Sequence, residues 1–182
     1  NLGDGTFDAP GWLAAGGAFG VGTDSNVRIS LPEELRLLEY SQRLIHKARA
    51  IMASNERSSG RLLWDGAAKG GAQAGGRTSG TIAVGQWADL LALDTTDLRL
   101  EEFKGDQMLD AFLFAGRDGL VSNLWSAGRH IVKDGHHVLR DRVAILVELA
   151  RRLANVAAEL PVQPVSSSEE LLLEARPEND QR

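Results

Sequence analysis

The 182-residue chain contains no cysteine. That excludes disulfides and thiolate metal sites, so any zinc held here must rest on imidazole or carboxylate groups. Histidine is scarce too, with only His46, His130, His136 and His137. No apolar run approaches the roughly 20 residues a membrane-spanning helix needs, and no secretory signal pattern is present. The expected location is cytoplasmic, with no membrane partner. Nor is there a basic excess. Lys and Arg number 20 against 25 Asp and Glu, a formal net charge of −5, which argues against nucleic acid as a partner. Hydrophobic residues make up 43%, enough for a globular core. No internal repeat is visible.

What the chain does have is a strand-like run ending in an acidic turn, Ala18-Phe19-Gly20-Val21-Gly22-Thr23-Asp24-Ser25-Asn26. Phe19 and Val21 are strand formers, and Gly20 and Gly22 permit close backbone approach. Ser30-Leu31-Pro32-Glu33 then reads as a capping box with Pro in the first helical turn. Strand, acidic turn and helix make one βα unit, with Asp24 at the strand's carboxyl end. In βα barrels that end carries the chemistry. An aspartate there is also a common turn former or helix cap, and the local pattern leaves both roles open.

Residues 1–10 read as a loop in which Asp4, between Gly3 and Gly5, is turn chemistry. Gly11 to Ala15 is a short helix closed by Gly16-Gly17. The spacing of Leu35, Leu38, Ile45, Ala48 and Met52, widened by Leu37, Leu44 and Ile51, predicts an amphipathic helix from Leu31 to about Met52. His46 falls on its polar side. A second helix over Leu62 to Ala74 carries Gly66, Gly70 and Gly71, each costing roughly 1 kcal/mol against Ala, so close packing has to compensate. Thr81 to Val84 and Ala88 to Leu93 read as strands about a Gly85-Gln86 turn, with Asp89 and Asp94 structural. Met108 to Phe114 fits either a helix or a strand. Gly119 to Ser126 and His130 to Lys133 pair as strands, followed by a type I′ turn at Asp134-Gly135. The adjacent His136 and His137 point to opposite faces and cannot chelate one metal well. Asp141 caps a helix from Arg142 to Leu160, and 161–182 reads as a disordered tail with a possible turn at 169–175.

Gly20-Val21-Gly22-Thr23-Asp24 resembles the final-strand signature of the amidohydrolase superfamily. Gly80-Thr81-Ile82-Ala83-Val84-Gly85-Gln86-Trp87-Ala88-Asp89-Leu90-Leu91-Ala92-Leu93-Asp94 is similar to that superfamily's segment entering a small β-sandwich, and Ser126 to Gly135 to its closing hairpin. Within the superfamily, Gly22-Thr23-Asp24-Ser25-Asn26-Val27-Arg28-Ile29-Ser30 and Glu39-Tyr40-Ser41-Gln42-Arg43 resemble the formimidoylglutamate deiminase branch. The resemblance implies an α/β fold: the C-terminal part of a (β/α)8 TIM-type metal-dependent hydrolase barrel in 1–78, a β-sandwich portion in 79–140 and a C-terminal helix in 141–160. At 182 residues and starting with Asn, the chain is too short for a barrel of about 250 residues.

The same resemblance implies metal-dependent hydrolysis of a formimino C–N bond, N-formimino-L-glutamate and water giving N-formyl-L-glutamate and ammonia in histidine degradation. Asp24 would be both catalytic residue and metal ligand, holding one divalent ion, expected to be Zn²⁺, with Ser25 and Asn26 orienting it. The family's remaining His and Glu groups have no match here, so the chain is expected not to assemble the centre alone. The substrate-binding residues are not identifiable, and a homodimer is expected by resemblance. Two other readings stay open: a purine or triazine aminohydrolase of the same superfamily, and a non-catalytic fragment.

Overall fold

A computed structural model describes residue 3 and residues 5–159. The readings of Asp4 and of 161–182 lie outside the described residues. The chain divides into two compact units, Asn1–Arg140 and Asp141–Arg182.

The first unit opens with α1 (Ala9–Ala14), started by the Asp8 carboxylate accepting from Gly11 N at 3.0 Å and closed by Gly16 at φ +79°. Helix α2 (Leu31–His46) starts as its capping residues dictate, Ser30 Oγ accepting from Glu33 N at 3.4 Å with Pro32 in the first turn. It stops short of Met52, however. Lys47 turns left-handed at φ 52°, and the chain folds back on the helix. The cause is Glu39, fully buried, whose carboxylate accepts from Ile51 N at 3.2 Å and Met52 N at 2.7 Å and binds Arg43 Nε at 2.6 Å. A buried carboxylate must find such donors, and these lie beyond the helix end. The buried face of α2 therefore carries Leu35, Glu39 and Gln42, while the expected apolar positions Leu37, Leu44 and Ile45 are exposed. Gln42 is held by donating Nε2 to Phe7 O at 2.7 Å.

Helix α3 (Ser59–Ala74), capped by Ser58 Oγ accepting from Arg61 N at 3.2 Å, carries the internal glycines. At Gly66 and Gly70 close contact compensates, whereas a Cβ at Gly71 would meet nothing within 4 Å. A Cβ at Gly66 would strike the Phe19 ring, and one at Gly70 the Phe19 carbonyl. The core gathers on these helices: Leu35, Met52, Leu63, Leu100, Phe112 and Leu120 are essentially buried.

Thr81–Val84 forms no strand. Ile82 and Val84 are exposed, and Gln86 N bonds Ala83 O at 3.2 Å in a turn instead. Strand-forming side chains alone do not make a ladder; a neighbouring edge is required, and none stands beside this segment among the described residues. The described sheet is one four-stranded antiparallel array in the order β1 (Leu90–Leu93), β2 (Val121–Ser126), β3 (Arg129–Lys133) and β4 (His136–His137). A facing second sheet is not among the described residues. Both hairpins turn on two residues at positive φ, Ala127-Gly128 (50° and 78°) and Asp134-Gly135 (49° and 75°), the signature of type I′. Asp89 ties α3's exit to the sheet, accepting from Arg77 Nε and Nη2 and from Ala127 N at 2.7 Å. The undecided 108–114 segment is helical: α4 (Asp106–Asp110) runs into a π-helical turn, Ala111–Ala115.

In the second unit α5 (Arg142–Glu159) begins where Asp141 Oδ1 accepts from Val143 N at 2.8 Å and Ala144 N at 3.3 Å. Leu146, Val147 and Leu153 along it are exposed.

Candidate functional site

Ala18–Thr23 runs without a ladder partner, so it is not a strand in this structure, although its residues favour one. Other contacts hold it. Trp12 Nε1 donates to Ala18 O at 2.8 Å, the Phe19 ring is buried against α3, and a Cβ at Gly20 would sit 3.2 Å from the Gly71 Cα. Backbone thus meets backbone where the sequence places glycine on both sides.

Asp24 follows at the end of this fixed segment. Its φ of 40° is left-handed, a region that Asp tolerates better than most residues, and its side chain is exposed. Asn26 N closes the turn on Thr23 O at 2.7 Å. Ser25 stands between them, exposed, and the three candidate residues share this one turn. The Asn26 amide Nδ2 donates to Glu34 Oε1 on the first turn of α2. Next to that pair, Arg28 Nε binds Glu33 Oε2 at 2.8 Å. Sequence reasoning assigned Glu34 no role of its own. Its partner lies eight residues away across a loop, and no local spacing rule reaches that far.

A cleft of about 450 Å³ opens beside the turn, walled by Thr6, Phe7, Gly20, Val21, Glu34 and Leu38. Asp24 lies two residues beyond the Gly22 edge of that wall.

Among the described residues, no three His, Asp or Glu side chains come together where they could hold a metal ion. His46, His136 and His137 are exposed on α2 and β4. His130 stacks on Trp125 with centroids 4.6 Å apart, its Nε2 lying 2.9 Å from Asn123 Oδ1. The described residues therefore do not by themselves fit a divalent-cation site.

The sequence matches the amidohydrolase family over residues 1–131. The chain belongs to that family. It is 48% identical over 145 residues to the formimidoylglutamate deiminase of Pseudomonas aeruginosa, covering 79% of this chain and 32% of that protein. A solved amidohydrolase from Brucella melitensis is 49% identical with a TM-score of 0.72, over 82% of this chain and 33% of that one. The fold is shared more widely. An adenosine deaminase from Xanthomonas campestris with bound zinc superposes at a TM-score of 0.70 with 22% identity, over 84% of this chain and 34% of its own. The amidohydrolase chain described here spans about a third of the length of the curated deiminase it matches.

Proposed function

We propose that this chain is the Asp24-bearing portion of an enzyme that hydrolyses the formimino C–N bond of N-formimino-L-glutamate. The observation that carries the reading is the 48% identity over 145 residues to a formimidoylglutamate deiminase. On this reading Ala18–Thr23 is the last strand of a (β/α)8 barrel, residues 1–78 belong to that barrel and 79–140 to a β-sandwich. The whole protein is taken to be a cytoplasmic homodimer.

The chemistry is addition of water to the formimino carbon, followed by cleavage of its bond to the terminal nitrogen. One water enters, ammonia leaves, and the oxygen stays as the formyl group. The Asp24 carboxylate, open to water, accepts a proton from the attacking water. Its fixed left-handed turn means that no reorganisation is needed to present the carboxylate, which is what positioning for proton transfer demands. A divalent ion such as Zn²⁺, when bound, lowers the pKa of a coordinated water towards about 7. Asp24 would give that ion one oxygen ligand, with Ser25 and Asn26 orienting the carboxylate.

The test is turnover by the protein that carries this chain, assayed on N-formimino-L-glutamate against adenosine and a chlorotriazine. Release of ammonia from N-formimino-L-glutamate alone is expected, and Asp24→Ala should reduce it to background. Undiminished turnover in Asp24→Ala would remove Asp24 from the mechanism. Preference for adenosine or the triazine would move the enzyme to the aminohydrolases.

A further inference from the structure

Asp24 is exposed, so packing does not aim its carboxylate; the turn does. Besides the backbone bond from Asn26 N to Thr23 O, the turn is tied to the body of the molecule by the Asn26 amide donating to Glu34 Oε1. The other end of that tie is a firm post. Ser30 Oγ at the start of α2 donates to Asp118 Oδ1 at 3.1 Å, and Arg36 donates to Leu113 O at 2.8 Å and Gly116 O at 3.2 Å. Leu35, next to Glu34, is fully buried. Glu33 does not duplicate the link, because its carboxylate is taken by Arg28.

We propose that Glu34 is a positioning residue, which fixes the Asp24 turn on α2 through the Asn26 amide. The proposal rests on the hydrolase reading for its kinetic arm only. A carboxylate on the first turn of a helix also interacts with the helix dipole, and that bland role has to be separated from the tie. Glu34→Gln does so. It keeps an oxygen that can accept from Asn26 Nδ2 and removes the charge, whereas Glu34→Leu removes both.

Two measurements decide the matter. In the protein that carries this chain, Glu34→Leu should lower kcat on N-formimino-L-glutamate by about 10–100-fold with KM nearly unchanged, the scale seen when groups supporting a catalytic ligand are lost. Glu34→Gln should stay near the parent. Asn26→Ala should match Glu34→Leu, and the double variant should lose no more than either, since both break one link. Independently of substrate, amide hydrogen exchange at Asn26 should accelerate in Glu34→Leu and Asn26→Ala but not in Glu34→Gln. Equal loss in Glu34→Gln and Glu34→Leu would overturn the proposal in favour of the charge. Unaltered Asn26 exchange in both Asn26→Ala and Glu34→Leu would overturn it outright. A parent protein inert towards N-formimino-L-glutamate would defeat the hydrolase reading and leave the exchange measurement to judge Glu34 alone. Should Glu34→Leu fail to fold, Asn26→Ala, on an exposed loop, carries both arms.

Discussion

At the scale of single residues, the sharpest statements concern glycines that look interchangeable in the sequence. Gly70 and Gly71 are neighbours in α3, yet a Cβ on the first would collide with the Phe19 carbonyl and one on the second would meet nothing within 4 Å. Gly70→Ala should destabilise the protein, because about 1–3 kcal/mol of overpacking exceeds the gain in helix propensity. Gly71→Ala should stabilise it by about 0.5–1 kcal/mol, since propensity acts there unopposed. Chemical denaturation midpoints of the two variants check both signs, and equal effects would show that the close approach carries no energy. That compensation was required was legible, because three helix-interior glycines need a reason. Which glycine carries it was not, since the helical phase relative to Phe19 is a tertiary fact. The turn at Asp24 was legible for the opposite cause: it is made from adjacent residues. The bond from Asn26 to Glu34 was hidden because its partners lie eight residues apart.

Among the elements, two helix starts were readable from their caps, while a third start and the boundaries set by remote partners were not. Ser30 and Asp141 each accept from a backbone N–H within the following turn, as the sequence indicates, whereas Ser58 caps α3 so that it starts at Ser59, three residues before the expected Leu62. The end of α2 depends on Glu39 reaching Ile51 and Met52, which apolar periodicity cannot register. Asp134-Gly135 announced its hairpin, whereas Ala127 at φ 50° did not, because alanine seldom occupies that region. The Asp89 junction has a pH signature. The Ala127 N–H, and then the Arg77 guanidinium, hold this carboxyl below the ordinary aspartate value. A depressed folded value stabilises the protein above the unfolded pKa of about 3.9 and loses that contribution as pH falls through the folded value. Unfolding midpoints should therefore favour the parent over Asp89→Asn at pH 7, with the gap closing under acid. A gap that does not depend on pH would mean that the ionised carboxylate holds the Ala127 N–H and Arg77 no better than a neutral amide does.

For the molecule as a whole, the chain answers to about a third of its curated deiminase relative, and among the described residues no three His, Asp or Glu side chains come together where they could hold a metal ion. The 182-residue chain, purified alone and dialysed, should retain no stoichiometric zinc, because one oxygen ligand cannot compete with water for the ion. Atomic absorption would settle this, and a retained equivalent would show that the ligand set is larger than Asp24. The layout of the sheet also fixes an order in time. The β2–β3 and β3–β4 turns close over two residues each, an event of about 1–10 μs. Strand β1 can join only after the chain between Leu93 and Val121 has folded back, closed by Asp94 N on Leu120 O at 2.8 Å. Until then the outer edge of β2 is bare. For a chain refolding from the unfolded state this layout predicts an interval in which Leu124 and its neighbours can pair with another molecule, so refolding yield should fall as protein concentration rises.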